Sequence, residues 1–247
     1  LGPDKMEIAG SLRGAPVELV RGLTVDLDVP ARAEVVLEGR VLPGVREPEG
    51  PFGENTGCYF SNTSPVVELS AVCHRPDFIF PALVPWTADV DTLLSLAGGA
   101  ELLGQLKSLT RGVVDFELVP GTSSFAGVVA VRDCPRHEVR RIIHLALVLD
   151  KRLKSVTVVD DDVDIRNPRE VAWALATRFQ ATRDLIVLDG MEGYVIDPSS
   201  AGGNGSKIGF DATRGAGPEF EKIAMPSDAV GMARRVAADL SYQGKQA

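Results

Sequence analysis

Apolar positions divide the chain into two stretches of different period. Over residues 16–80 they come in short runs with partial alternation, the period of a pleated strand. PVELVRGLTVDLDVP and AEVVLEGRVL are rich in Val and Leu, and Pro30 stands between them. PVVELSAVCH and FIF add two more runs around Arg75-Pro76-Asp77. Short strands separated by Gly and Pro predict an antiparallel sheet or barrel. EGPFGENTG falls between two of these strands and reads as a loop, because its glycines and proline exclude a helix interior.

After Pro85 the period lengthens. Val90, Leu93, Leu94, Leu96 and Ala97 have helical spacing, broken at Gly98-Gly99. GVVDFELV and FAGVVAV read as strands. RHEVRRIIHLALVLD reads as a helix with Val139, Ile142, Ile143 and Ala146 on one face and His144 packed among apolar neighbours. SVTVVD reads as a buried strand that runs into Asp160-Asp161-Asp162. NPREVAWALATRF has a strong helix start, with Asn167 as N-cap, Pro168 at the first helical position and Glu170 at the third. DLIVL then closes a strand–helix–strand unit, for which a parallel right-handed crossover is the default. Residues 199–218 are dense in Gly and Ser and predict a long loop. GGNGSK within it lacks the spacing of a phosphate loop and reads as mobile. PSDAVGMARRVAADLSY predicts a terminal helix capped by Ser227 or Asp228. Its stripe of Val230, Met232, Ala233, Val236, Ala237 and Leu240 needs a partner surface.

Composition narrows the function classes. The chain has 247 residues, 45% of them hydrophobic, so a core is not in doubt. Its net charge is −8 and no basic face clusters, which argues against nucleic acid. Arg136, Arg140, Arg141, Lys151, Arg152 and Lys154 are spread over a helical pattern and read as a solvated face. Cys58, Cys73 and Cys134 are odd in number and form no CxxC pair, so neither a zinc site nor a disulfide framework is expected. That usage fits a reducing cytoplasm. No apolar run is long enough to span a membrane. The chain starts at Leu1 within what reads as ordered sequence, so it is expected to be the later part of something longer.

One stretch carries candidate chemistry. Glu49 and Glu54 bracket Gly50-Pro51-Phe52-Gly53. Gly50-Pro51 stiffens the segment, and Gly53 is free to take a positive φ that turns the chain back. Two carboxylates facing one partly dry pocket would separate their pKa values, one staying ionised and the other holding a proton. Phe52 would shield the pocket or plug a barrel. Composition alone favours a surface turn with two solvated glutamates. DDDVDI, with Asp160, Asp161, Asp162 and Asp164, lies where a parallel strand ends, and fits either a hard cation or turn chemistry and helix capping. No Ser/His/Asp order or HExxH pattern appears.

PEGPFGENTG resembles the active-site loop of the UbiD family of decarboxylases, which use prenylated FMN. DKMEIAGSLRGAPVELV, DLDVPARAEVVLEG, VVDDDVDIRNPREVAWALATRF and SKIGFDAT also look like that family, in the family's order. The resemblance implies non-oxidative loss of CO2 from an α,β-unsaturated or aromatic carboxylic acid. It implies a Glu-Arg-Glu constellation in which Glu49 pairs with the arginine and Glu54 donates the proton. It implies a cofactor phosphate held through a divalent cation, usually manganese, with potassium nearby. Glu7, just before AGSLRG, matches one cation ligand, and Lys154 matches a lysine near the cofactor. Pro85, Trp86 and Thr87 match a segment that faces substrate. Family proteins are roughly twice this length, so the arginine and the other cation ligands are expected in an N-terminal half, on the same or a separate chain.

The expected fold is therefore α/β. Residues 1–86 would be the end of a split β-barrel-like domain, 87–225 an α/β domain with a parallel sheet, and 226–247 an oligomerisation helix serving a homodimer or larger. The expected function is the C-terminal portion of a flavin-dependent lyase, a cytoplasmic decarboxylase. The alternative is a non-catalytic assembly module, inactive without the other half. A two-carboxylate glycosidase fits the glutamate spacing but not the α/β half or the 6% aromatic content.

Overall fold

The structure is a computed structural model and describes residues 4–200, 203–214, 223 and 226–243. Residues up to Thr213 form one compact unit, and residues from Arg214 onward form another. The fold is mixed α/β, as expected.

The first unit opens with helix α1 (Lys5–Arg13), capped at its start by the Asp4 carboxylate and at its end by left-handed Gly14. Two antiparallel ribbons follow. Strands β1 (Leu19–Arg21) and β2 (Asp28–Pro30) form the short one; β3 (Val35–Gly53) and β4 (Tyr59–His74) form the long one. The buried Glu38 carboxylate joins the two ribbons by accepting bonds from the Leu23 and Thr24 amides and the Thr24 hydroxyl. Each ribbon is two-stranded, and the described residues close no barrel from them.

Next come α2 (Ala88–Leu94), a π-helical turn (Ser95–Gly99) and α3 (Ala100–Leu109). Gly98-Gly99 therefore does not break the helix. It accommodates a widened turn, and a side chain at Gly98 would collide with the Arg152 guanidinium. The five-stranded sheet has the order β5-β6-β7-β9-β8, from β5 (Val113–Leu118), β6 (Ala126–Val131), β7 (Ser155–Asp160), β8 (Leu185–Glu192) and β9 (Asn204–Asp211). Its centre is parallel, β6 with β7 and β7 with β9, and both edges are antiparallel.

Period-two alternation sorts the apolar residues of β6 onto two faces. Val129 and Val131 pack with Leu106 of α3 and with Ile142, Ile143 and Leu147 of α4 (Arg136–Leu149). Val128 and Ala130 pack with Val163, Ile165 and Ala174, the last from α5 (Pro168–Arg178). Both faces are covered, which is why these strands read as unbroken apolar runs. The Asn167 cap forms as expected, its side chain accepting from the Arg169 amide.

Three further expectations need correction. β8 does not lie parallel beside β7. It is an antiparallel edge strand, and β9 takes the place next to β7. β9 is the second correction, because most of GGNGSKIGFD is a strand rather than a loop. Its glycines serve packing: a Cβ on Gly209 would overlap the Ile143 side chain of α4. Lys207 is buried there too, donating to the carbonyls of Leu147 (2.7 Å), Lys151 (3.2 Å) and Asp150 (3.4 Å) at the end of α4. Burial lowers the Lys207 pKa. The third concerns His144, which is exposed on the outer side of α4 with Nδ1 2.6 Å from the Arg140 carbonyl.

The second unit contains α6 (Ser227–Gln243), preceded by Pro226. Met232 and Val236 of the anticipated stripe are exposed; Leu240 lies outside the residues whose side chains are described.

Candidate active site

The glutamate stretch is mostly strand. β3 runs to Gly53, with a register shift between Glu49 and Phe52 and a cis peptide at Gly50-Pro51. Only residues 54–58 form the turn, closed by bonds from the Glu54 amide to the Cys58 carbonyl and from the Gly57 amide to the Glu54 carbonyl, both 3.0 Å. The positive φ angles fall on Gly50 (104°) and Gly57 (74°), not on Gly53. Gly57 supplies the left-handed residue of the turn, and Gly50 the shift in register.

This geometry separates the two carboxylates. Glu49 pairs with Asn62 across the ladder and is exposed; its carboxylate accepts from the Ser64 hydroxyl. Gly53, next to Glu54, pairs with Tyr59. Their partners, Asn62 and Tyr59, lie three positions apart along β4, roughly 10 Å of strand. Glu54 is half-buried, and its carboxyl makes no hydrogen bond or ion pair among the described residues.

Two of the anticipated pocket residues meet this tip. A Cβ on Gly53 would lie 3.3 Å from the Pro85 ring, and one on Gly57 would lie 3.2 Å from the Trp86 indole. Trp86 holds a positive φ of 58° and remains largely exposed, as does Phe52. Thr87 caps no amide of α2 with its side chain, and its hydroxyl donates to the Val84 carbonyl at 2.8 Å. A further contact had no signal beyond a turn-rich PGTSS segment: the Ser123 hydroxyl donates to the Asn55 carbonyl at 2.8 Å.

Glu7 and Lys154 do not join the glutamates. Glu7 is exposed in the first turn of α1. Lys154 precedes β7, with Nζ 2.9 Å from Asp197, 2.5 Å from the Ser199 hydroxyl and 5.7 Å from the Phe125 ring centre. Burial opposes ionisation of Asp197, but Lys154 and Ser199 outweigh it and hold its pKa below 3.8.

The aspartate run is spoken for by arginines. Arg178 bonds Asp160 (3.2 Å) and Asp162 (2.6 Å) while stacking on Trp173, and Arg132 pairs with Asp161. Asp164 accepts from the Arg166 amide at 2.9 Å. This favours turn and capping chemistry over a cation, and no group of three potential ligands occurs among the described residues. Burial, then nearby Glu138 and aspartates, push the Cys134 thiol up to about 11, so it is no ready nucleophile. A cleft of about 500 Å³ lies between α2, the π turn, α3 and β5, with Asp115, Glu117 and Arg166 in its wall. None of the anticipated site residues lines it.

Residues 1–88 match the family model described as the 3-octaprenyl-4-hydroxybenzoate carboxy-lyase Rift-related domain. Residues 91–212 match the C-terminal domain of the same carboxy-lyase. Anhydromevalonate phosphate decarboxylase of Methanothermobacter thermautotrophicus is 32% identical over 226 residues, covering 90% of this chain and 53% of that protein. The UbiD-class enzyme HmfF from Pelotomaculum thermopropionicum, solved with FMN, is similar at 39% identity and a TM-score of 0.86, over 95% of this chain and 54% of that one. Vanillic acid decarboxylase of Sedimentibacter hydroxybenzoicus, in an open form, is 30% identical with a TM-score of 0.82, over 96% and 53%. The chain thus spans about half the length of the relatives it matches. No helix among the described residues is long and apolar enough to cross a membrane. With both domain models matched in order, the chain belongs to the UbiD family of decarboxylases.

Proposed function

We propose that this chain is the acid-bearing half of a decarboxylase that removes CO2 without oxidation from an α,β-unsaturated or aromatic carboxylic acid, and that Glu54 is the proton donor. The observation that carries the reading is the placement of Glu54: half-buried in an ordered turn, uncommitted to any described partner, with Pro85 and Trp86 packed on the neighbouring glycines. A general acid needs that freedom, because a carboxyl locked in an ion pair stays ionised.

Prenylated FMN, when bound, supplies the electron sink that lets the carboxylate carbon leave as CO2. The chain's own part is proton handling. The carbon–carboxylate bond breaks, its electron pair stays on the substrate carbon, the Glu54 proton forms the new C–H bond, and water reprotonates Glu54. Glu49 orients an arginine supplied from outside these residues. Phe52, Pro85, Trp86 and Thr87 would line the substrate side.

The residues present fit the cofactor site only in part. Glu7 would be one ligand of a manganese ion that carries the cofactor phosphate, with potassium alongside, and the rest of that shell would come from a second half. Lys154 would approach the cofactor only after loosening from Asp197. The working enzyme pairs this chain with that half, in a homodimer or larger, in the cytoplasm. HmfF with FMN and an evolved dimeric HmfF with prenylated FMN support the flavin and the assembly. A non-catalytic assembly module is the second reading, favoured by the single cation ligand here.

Glu54→Gln in the complete enzyme tests the proposal. Turnover should fall by roughly 10²–10⁴, with substrate still bound and deuterium incorporation from solvent falling in parallel. Near-normal turnover and exchange would assign the proton to another group.

A further inference from the structure

The turn that carries Glu54 is held from outside its own ladder by the loop joining β5 to β6. Ser123 donates its hydroxyl to the Asn55 carbonyl at 2.8 Å. Asn55 is the residue after Glu54, inside the turn closed by Glu54 and Cys58. The donor is unusually placed. Ser123 and Ser124 both have positive φ, 58° and 65°. Two consecutive non-glycine residues in this region carry strain, which persists only where the surroundings over-determine it.

Neighbouring hydrogen bonds supply that constraint. The Thr122 hydroxyl donates to the Val119 carbonyl at 2.6 Å, and the Phe125 amide donates to the Thr122 carbonyl at 2.8 Å. The Gly121 amide donates to Asp91 at 2.7 Å, and Ser124 is buried. The frame fixes the Ser123 backbone, so its short side chain has little choice of direction.

We propose that Ser123 is a positioning residue. Its hydroxyl, aimed by a strained and rigid loop of the α/β layer, fixes the turn at 54–58 and with it the direction of the Glu54 carboxyl. The catalytic consequence rests on Glu54 being the proton donor; the clamp itself does not. A glycine at 123 would ease the strain but lose the donor, and an alanine would lose the donor and keep the strain.

Amide exchange by NMR on the whole 247-residue chain tests the clamp through the Glu54 and Gly57 amides. Ser123→Ala should speed both by roughly five- to tenfold, the effect of one lost hydrogen bond, and leave Val129 and Val158 unchanged. Ser123→Gly should speed them equally while melting higher than Ser123→Ala. Ser123→Thr, which keeps the hydroxyl but strains a β-branched residue, should melt lower than the parent yet exchange within about twofold of it at the turn. Exchange at the turn that follows Tm across the variants would reduce Ser123 to a general stability role and overturn the proposal. So would exchange that none of them changes. If Ser123→Thr fails to fold, the Ala and Gly pair still decides, since they share the lost hydroxyl and differ in strain. In the complete enzyme, Ser123→Ala should lower kcat several-fold with KM unchanged, and Ser123→Thr should restore it; a change in KM alone would count against positioning. A Glu54→Gln enzyme with undiminished turnover removes the acid reading alone, and the exchange pattern still decides the clamp.

Discussion

Strand β6 and the hairpin β3–β4 are built from similar apolar residues and end in opposite surroundings. In β6 every residue from Gly127 to Val131 is buried, between α3 and α4 on one face and α5 on the other. In the hairpin Leu37, Val41, Val67, Leu69 and Val72 are all exposed, several by more than half. Strand propensity is the same in both places. Cover is not, and cover supplies the stabilising term. A two-stranded ribbon is marginal alone, so this hairpin, which carries Glu49 and Glu54, is the part of the molecule that needs another surface.

The largest effect to look for is in protection. In the 247-residue chain, amides of β6 and β7 should exchange at least about 10³-fold more slowly than those of β3 and β4. Adding a complementary half should slow the hairpin amides and leave the sheet unchanged. Equal protection in both regions would break the comparison outright.

A smaller effect tests whether the sheet stands on close packing. Gly209→Ala places a methyl in overlap with the Ile143 side chain, so one of the two must shift. Overpacking of this kind costs about 1–3 kcal/mol, a fall in Tm of roughly 3–10 °C at this chain length. Combining it with Ile143→Ala, which removes the overlapping Cγ2 methyl, should cost less than the sum of the two single changes, and a purely additive double mutant would refute the contact as its cause. Exchange in the hairpin should not respond.

Gly209 also marks the limit of reading this fold from sequence. The apolar period found β6, β7 and α4, and the cap at Asn167 fixed the start of α5, because those signals are local. β9 was hidden because its composition, Asn204-Gly205-Ser206-Lys207, is that of a loop, while its role is set by α4, some sixty residues away. With β9 missing, β8 was assigned the parallel position that β9 holds. The glutamate loop became a candidate for chemistry only through its resemblance to the UbiD-family loop, because its residue types alone favour a surface turn. Its division into strand and turn depended on a shift in register that local sequence does not announce. Ser123 was invisible for a similar reason: its importance lies in meeting Asn55, which is remote in sequence.

The smallest effect concerns the hairpin's one deeply buried carboxylate. Glu38 is 3% exposed. It accepts from the Leu23 amide at 2.8 Å, and from the Thr24 amide at 2.6 Å and hydroxyl at 2.7 Å. The Leu23 amide first, then the Thr24 hydroxyl and amide, hold its pKa below the ordinary 4.5, against a smaller opposing effect of burial. A carboxylate with a depressed folded value contributes stability that is fully present above 4.5 and lost as pH falls through the folded value. The linkage is local, because it ties β1–β2 to β3 and touches nothing in the five-stranded sheet. The amide shifts of Leu23 and Thr24 should therefore titrate together, with a midpoint below 4.5, while Val129 and Val158 stay still over the same range. Glu38→Gln keeps one acceptor oxygen and loses the other, so it should free one of the amides and change Tm of the sheet by no more than about 1 °C. A midpoint at or above 4.5, or a sheet that melts with the ribbon, would mean that the two regions are coupled far more tightly than their difference in burial implies.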